Sequence, residues 1–371
     1  MSFRAAARAL ALATLALAGP VFAQYVPEPG ALSTGFEARY YRFGQDLVVK
    51  SLGQIAMPLA VVFPVGRFTI DAGAWIAATT LTRIDGYRET VTGVTDTQIR
   101  AAYVLGSDAL VLTAMVNLPT GAENLTAAEY SVLTAASSSF LAFPVNAYGS
   151  GASVTLGAAG AMRAGPWNLG LAGSARLSQE FTPFEDIDGG FTYQSGLEAR
   201  ARFGADRLVG NGKLAFGLTF STFSDDEFAN GSGATGVYRP GRRLIGEASY
   251  TTLIGPATVT GYLWDFYRTA GDSAGSSALN QENLFAAGLA SRIPVSPTIN
   301  VEPGAELRFA NPSEGHAVIL ELSTAARIRL SPRYTLIPVV RLGFGRLEEP
   351  DPGFGHSIRG GGLSVFLRWS L

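Results

Sequence analysis

The sequence predicts an all-β fold: a transmembrane, antiparallel, up-and-down β-barrel of 14–16 strands, whose short N-terminal segment is either the first strand or a plug in the lumen. Segments with period-two alternation of apolar and polar residues recur along the chain, and short and long connections alternate between them. Both patterns are typical of barrels with lipid outside and water inside. The clearest segment is 362–371, where Leu363, Val365 and Leu367 share one face.

The first 23 residues predict an export signal. Arg4 and Arg8 precede a short apolar run, and Val21-Phe22-Ala23 offers the small residues that a signal peptidase requires. The mature chain is therefore expected to begin near Gln24. No later apolar run reaches the roughly 20 residues of a membrane-spanning helix, which leaves the periplasm, the outer membrane or the medium.

Composition narrows the class of protein. Hydrophobic residues make up 47% of the chain and charged residues only 16%, below the roughly 25% usual for soluble domains. The chain has no cysteine, so no disulfide stabilises it. A net charge of -2 excludes a strongly basic nucleic-acid binder.

We divide the chain into a signal peptide (1–23), an N-terminal segment that is a first strand or a lumen plug (24–53), and the barrel (54–371). Fifteen strands are predicted at 54–63, 67–83, 95–105, 109–118, 151–162, 167–180, 190–203, 212–223, 242–253, 257–268, 283–293, 298–310, 316–330, 334–346 and 358–371. Bacterial barrels have even strand numbers. An additional strand near Phe36–Phe43 is favoured over one false strand.

The alternation also assigns the faces of the strands. Phe68, Ile70 and Ile76, Phe191, Tyr193 and Phe203, and Leu214, Phe216 and Phe220 belong to predicted lipid-facing sets. A charge on that face near the membrane centre costs about 2–4 kcal/mol, so the charged alternates are assigned to the lumen. These are Arg100, Glu198, Arg200, Arg202, Glu302, Glu306, Arg308, Glu321, Arg327, Arg329, Arg341 and Arg368. Their mixed signs favour cross-strand ion pairs over a field that selects one type of ion.

The longest connection, 118–149, is predicted to be functional. Thr126-Ala127-Ala128-Glu129 forms a capping box, which predicts a short helix over about 127–138. An apolar run follows that is unusual for a solvent-exposed loop. The residues expected to form a substrate lid or constriction are Leu125, Tyr130, Leu133, Phe140, Phe143 and Tyr148. A structural loop packed in the lumen and a subunit contact remain alternatives.

Other candidate sites are weak. Acidic runs occur at Glu185–Asp188, Asp225–Glu227 and Glu348–Asp351, where carboxylates could join the divalent-cation layer of lipopolysaccharide or simply be solvated. The neighbours His356 and Ser357 would point to opposite faces of a strand, so they do not form a nucleophile–base pair. No metal site, cofactor or enzymatic activity is expected.

Two stretches, Ala60-Val61-Val62-Phe63-Pro64-Val65-Gly66 and Val116-Asn117-Leu118-Pro119-Thr120-Gly121, together with the C-terminal strand, carry a resemblance. The chain resembles outer-membrane channels for hydrophobic compounds, the long-chain fatty acid transporter family and its "MetA-pathway of phenol degradation" relatives. Fourteen strands, an N-terminal hatch and an opening through the wall are implied by that resemblance. The N-terminal segment here is short and shows no Asn-Pro-Ala hatch motif.

The expected function is passive uptake of small hydrophobic or aromatic compounds across a Gram-negative outer membrane. The alternatives are a structural or adhesion barrel without transport and a general diffusion porin. Expected partners are outer-membrane lipid and lipopolysaccharide, a small apolar substrate, and the barrel-assembly machinery. The C-terminal strand resembles the insertion signal read by that machinery, although the final residue here is Leu371 instead of an aromatic one.

Overall fold

A computed structural model describes residues 30–44, 48–106, 109–184, 190–230, 235–273, 276–279, 281–312, 315–348 and 355–370. The predicted signal peptide lies outside this range. The strands of the barrel wall are β1 (Ala31–Phe43), β2 (Val49–Val65), β3 (Phe68–Arg83), β4 (Arg88–Val94), β5 (Thr97–Leu105), β6 (Leu110–Leu118), β7 (Ser153–Ala164), β8 (Trp167–Ser178), β11 (Glu198–Val209), β12 (Gly212–Phe223), β15 (Arg243–Ile254), β16 (Ala257–Arg268), β19 (Glu282–Ser296), β20 (Ile299–Pro312), β21 (His316–Arg329), β22 (Tyr334–Glu348) and β23 (Gly355–Ser370).

These strands close into one antiparallel ring. Each strand pairs with its neighbours in sequence, and β1 pairs with β23 from Ala31 opposite Ser370 to Phe43 opposite Ile358. β4 and β5 both pair with β3 and together occupy one position, so the ring has 16 positions. The prediction of an antiparallel barrel is confirmed. The additional strand is β1, which completes the even number.

The two ends of the barrel differ in their connections. At one end the strands are joined by tight turns such as the one at Gly66, and the first residue of β1 and the last residue of β23 lie at this end. At the other end the connections are longer. In outer-membrane barrels the short turns face the periplasm, so we refer to the periplasmic and outer ends.

A second sheet extends three hairpins beyond the barrel at the outer end. It contains β9 (Phe181–Phe184), β10 (Phe191–Gln194), β13 (Asp226–Asn230), β14 (Thr235–Arg239), β17 (Gly271–Ser273) and β18 (Ser276–Leu279), and we call it the outer sheet. Interruptions at 179–180, 195–197, 224–225, 240–242, 269–270 and 281 separate its strands from the barrel strands that they continue. Placing Phe191 and Tyr193 on the lipid-facing wall was therefore wrong, because both lie on β10.

The outward face of the wall is apolar, as the alternation predicts. Large exposed side chains occur on strands all around the ring, among them Leu59, Ile70, Leu171, Phe216, Leu289 and Leu342. Transfer of such a surface from water to acyl chains is favourable, and a closed ring leaves no unpaired strand edge in the lipid. The barrel is thus built to span an outer membrane. Among the described residues, no helix has both the length and the hydropathy needed to cross a membrane.

The single helix in the described range, α1 (Ala127–Ala136), belongs to the connection between β6 and β7. The Thr126 hydroxyl accepts a hydrogen bond from the Glu129 amide, and the Glu129 carboxylate accepts one from the Thr126 amide. The predicted capping box and helix are confirmed, with the end of the helix at Ala136 instead of 138.

Candidate functional site in the barrel lumen

The connection at residues 119–152, which we call the plug, folds into the lumen. Leu133, Phe140, Phe143 and Tyr148 are at most 8% exposed and belong to the main cluster of buried apolar residues. The wall contributes residues of β1–β4, β16, β19, β21 and β23 to the same cluster. No residue of β7, β8, β11, β12 or β15 in the described chain takes part, so the plug is packed against one side of the lumen.

The buried carboxylate of Asp96 closes the neck of the plug. Asp96 lies at the break between β4 and β5 and is 7% exposed. The oxygen Oδ1 accepts a hydrogen bond from the Gly121 amide at 3.0 Å, and Oδ2 accepts from the Ser150 amide at 2.8 Å. The Ser150 hydroxyl and the Asn117 amide also donate to Oδ2. One carboxylate thus joins the start and the end of the plug to the wall.

The neck leaves little space. A Cβ at Gly121 would overlap the carbonyl of Tyr148, so a side chain there is incompatible with this close approach of two backbones. Next to it, burial and then the nearby Asp96 raise the pKa of Glu123 above its ordinary value. The backbone at the neck is therefore packed as tightly as in a folded core.

The tip of the plug is held by polar groups of the wall. The Gln54 side chain donates to the carbonyl of Val145 at 2.6 Å and accepts from its amide at 2.9 Å, as a neighbouring strand would. The Tyr148 hydroxyl donates to the carbonyl of Val91 and hydrogen-bonds Thr79. These contacts satisfy backbone groups that would otherwise be buried without partners.

A charge cluster on β20 reaches the same segment. Arg308 is 2% exposed and donates to the carbonyl of Phe140 at 2.5 Å. The same guanidinium pairs with Glu321 and Glu306, each at 2.8 Å. A buried guanidinium thus connects the wall to the plug through charge-assisted hydrogen bonds.

The cluster continues around the wall to β1 and β22. Arg39 contacts Glu37 at 2.8 Å and Glu321 at 3.8 Å, and Arg341 contacts Glu37 at 3.4 Å and Glu321 at 3.7 Å. Three arginines therefore face three glutamates, and their side chains are 2–21% exposed. This cluster is electrically neutral and largely shielded from water.

The opposite side of the lumen, formed by β8, β11, β12, β15 and the outer end of β16, has the same residue types but a different environment. Arg200 pairs with Glu198 and is 27% exposed, and Arg268 pairs with Glu282 and is 26% exposed. Glu247, the partner of Arg202, is 43% exposed although it lies inside the ring. We call this the open side, because its charged groups are accessible to water.

An aromatic face of the outer sheet lies above the open side. Phe184 lies 5.3 Å from Phe191, and Phe191 lies 5.8 Å from Phe228. Tyr130 on α1 contacts Phe184 at 4.8 Å, so the plug extends this face. Such ring pairs stabilise by about 0.5–1.5 kcal/mol beyond the area that they bury.

The aromatic face is joined to the interior. Burial, and then a hydrogen bond to Asp226, raise the pKa of Tyr193 well above its ordinary range. Burial raises the pKa of Tyr238 on β14, and Arg268 and Arg243, which lie within electrostatic range, act in the opposite direction. The face therefore points toward the lumen and not toward the surrounding lipid.

The structure separates the six residues predicted as a lid. Leu133, Phe140, Phe143 and Tyr148 are buried in the plug, and Leu125 packs against the same cluster. Only Tyr130 is exposed, at 49%. The alternative of a loop packed into the lumen describes the position of most of this segment, and a contact with substrate remains open to Tyr130.

Most of the predicted lumen charges lie in ion pairs on the inward face. Arg100 pairs with Asp71 at 2.8 Å, and Arg327 pairs with Glu302 at 3.3 Å. Arg329 is exposed near the periplasmic end. Arg368 lies on the inward face of β23, opposite to Leu367.

The acidic runs and the His356–Ser357 pair form no recognisable binding or catalytic site among the described residues. Asp225 pairs with Arg239, and Asp226 is buried against Tyr193, whereas 185–189 and 349–354 lie outside the described residues. His356 is buried and Ser357 is exposed on the opposite face. No group of metal-ligating side chains occurs among the described residues.

Sequence reasoning missed Asp96, Gln54 and the aromatic residues Phe181, Phe184 and Phe228. A break in the alternation at Thr95-Asp96 was the available signal for Asp96. No sequence signal marked Gln54 or the three phenylalanines, because their partners are distant in sequence.

No protein-family model matches the chain, and no curated protein matches it. Similar solved structures include the P. putida toluene transporter TodX, which is 10% identical, with a TM-score of 0.45 over 95% of this chain and 93% of that chain. A Pseudomonas aeruginosa FadL homologue is 7% identical, with a TM-score of 0.47 over 96% and 94% of the two chains. OmpT of Vibrio cholerae is 8% identical, with a TM-score of 0.42 over 91% and 97%. The strand pairing and the exposed apolar surface of this chain define the barrel without these likenesses.

Proposed function

We propose that the barrel is an outer-membrane channel for passive uptake of small compounds with an aromatic or apolar body. One observation carries the proposal: an aromatic face at the outer mouth leads to a side of the lumen that the plug does not cover. Aromatic rings retain apolar molecules from water. The open side offers a route past the plug, and transport needs no energy source beyond a concentration gradient.

In this proposal the plug narrows the lumen and the aromatic face captures the substrate. Tyr130 is the member of the predicted lid that remains accessible, and it shares its ring contact with Phe184. The buried rings Phe140 and Phe143 keep the plug packed against the wall. Their substitution would test packing, so the capture step is tested at Tyr130 and Phe191.

The first experiment measures uptake of the hydrophobic dye N-phenyl-1-naphthylamine by porin-deficient Gram-negative cells that express the full chain. The dye fluoresces when it passes lipopolysaccharide and enters phospholipid. Expression should accelerate uptake, and replacing Tyr130 and Phe191 by Ala should slow it several-fold. Tyr87→Ala is the matched control, since Tyr87 is 48% exposed at the outer end but lies outside the aromatic face. Equal uptake by all variants would contradict the proposal.

A general diffusion porin is the second candidate, and the hydrated charges on the open side favour it. Conductance in planar bilayers separates the two functions. A porin gives large and steady single-channel currents, whereas a narrowed channel for apolar compounds gives small ones. Absence of both current and dye uptake would indicate a structural barrel.

A further inference from the structure

Four residues of the open side stand at one level of the wall. Arg200 lies directly opposite Ser221, Ser221 opposite Arg243, and Arg243 opposite Arg268, across β11, β12, β15 and β16. All four side chains point inward. Like charges directly opposite on neighbouring strands destabilise a sheet, so the Arg243–Arg268 pair carries a cost that an anion between them would remove.

Arg243 differs from its neighbours in having no ion-pair partner among the described residues, although Glu198 lies within electrostatic range. Arg200 pairs with Glu198 at 2.5 Å and Arg268 with Glu282 at 3.1 Å. No carboxylate of the described residues lies within 4.0 Å of the Arg243 guanidinium, which instead lies over the ring of Phe223 at 4.8 Å. Its planar fork of donors matches the geometry of a carboxylate.

Two donors in this row are also unused. The Nε atoms of Arg243 and Arg268 are buried and have no hydrogen-bond partner in the described part of the chain. A buried donor without an acceptor is costly, especially on a charged group. Both atoms thus favour an acceptor that enters from the lumen.

The surroundings favour an anion as well. The inward face here carries Arg176, Arg200, Arg202, Arg243 and Arg268 against Glu198, Glu247 and Glu282. With Asp226 of the outer sheet, which lies above them next to Tyr238, five arginines face four carboxylates. The plug-side cluster, by contrast, is neutral. Positive charge in excess on one wall of a confined, hydrated space concentrates anions there. The site is accessible, since Arg200 and Arg268 are about a quarter exposed.

We propose that Arg243, flanked by Arg200 and Arg268, binds the carboxylate of a small organic anion whose aromatic body rests against Phe223. The inference deepens the proposed function, on which its entry route depends, by naming the class of substrate: aromatic carboxylates. Tyr238, close to Arg243 and Arg268, connects the site to the aromatic face above. A ring and a carboxylate on one molecule match this order of contacts.

Isothermal titration of the full barrel in detergent tests the site with benzoate, and with benzyl alcohol as the uncharged counterpart. We expect benzoate to bind more tightly than benzyl alcohol, with an affinity that falls as salt rises. Arg243→Gln should lower the affinity for benzoate about tenfold or more, which is the range for loss of hydrogen bonds to charged groups. The affinity for benzyl alcohol should not change. Arg243→Lys should retain part of the affinity.

Arg359→Gln is the matched control, because Arg359 is exposed on the outward face of β23. Heat-modifiable mobility on gels confirms that each variant is folded. The site is overturned if wild-type barrel binds benzoate no better than benzyl alcohol, or if Arg243→Gln binds benzoate as the wild type does. Arg243-dependent benzoate binding without accelerated dye uptake would refute the proposed uptake function and leave the site intact.

Discussion

The two sides of the lumen use the same residues for different purposes. On the plug side, Arg39, Arg308 and Arg341 are at most 8% exposed and are matched by an equal number of glutamates. On the open side, arginines outnumber glutamates and remain hydrated. The difference shows that a charge facing inward has no fixed role in a barrel. Whether a packed loop or water covers it decides whether it stabilises the fold or is available to a ligand.

Removal of one arginine from each side is the strongest test of this comparison. Arg308→Met removes the ion pairs with Glu306 and Glu321 and the hydrogen bond to the carbonyl of Phe140, and loss of one member of a buried ion pair costs about 3–5 kcal/mol. Arg202→Met on the open side should cost at most about 1 kcal/mol, the range for solvated pairs. The measurement is urea unfolding of the barrel in lipid vesicles. Equal losses would mean that the two sides are equally solvated.

A smaller effect is expected from Asp96→Asn, which keeps the size of the side chain. One oxygen becomes a donor that faces the donors of Ser150 and Asn117 or of Gly121, so the neck should loosen by about 1.5–3 kcal/mol. Hydrogen exchange should accelerate in 119–152 and not in the wall, and bilayer conductance should increase. Asp206→Asn is the control, because Asp206 forms a partly exposed ion pair with Lys213 on the wall. Unchanged exchange in the plug would show that Asp96 does not hold it.

The smallest effect is expected at Gln54. Gln54→Glu is nearly isosteric but cannot donate to the carbonyl of Val145 when ionised, which leaves that carbonyl facing a carboxylate. We expect a cost of about 1–3 kcal/mol, confined to the tip of the plug. Hydrogen exchange of the Val145 amide measures this loss directly. Gln98→Glu, at an inward-facing position of β5, provides the control. Protection of Val145 equal to that of the wild type would remove Gln54 from the anchor.

The wall could be predicted from sequence because lipid on one side and water on the other impose period-two alternation over every strand. Helix α1 was equally predictable, since its capping box involves only Thr126 and Glu129. The outer sheet was not, because Phe191 and Tyr193 continue the alternation of β11 and pack against other rings instead of lipid. The anchors of the plug also could not be found, since Asp96 binds groups 25 and 54 residues away.

At the start of the plug, the backbone amides of Asn124 and Leu125 donate hydrogen bonds to the carbonyls of Thr182 and Pro183. Both acceptors lie on β9, an edge strand of the outer sheet. The loop inside the ring and the sheet outside it are therefore one hydrogen-bonded body. Displacement of the outer sheet would therefore strain the backbone hydrogen bonds at the start of the plug, and displacement of the plug would strain the sheet.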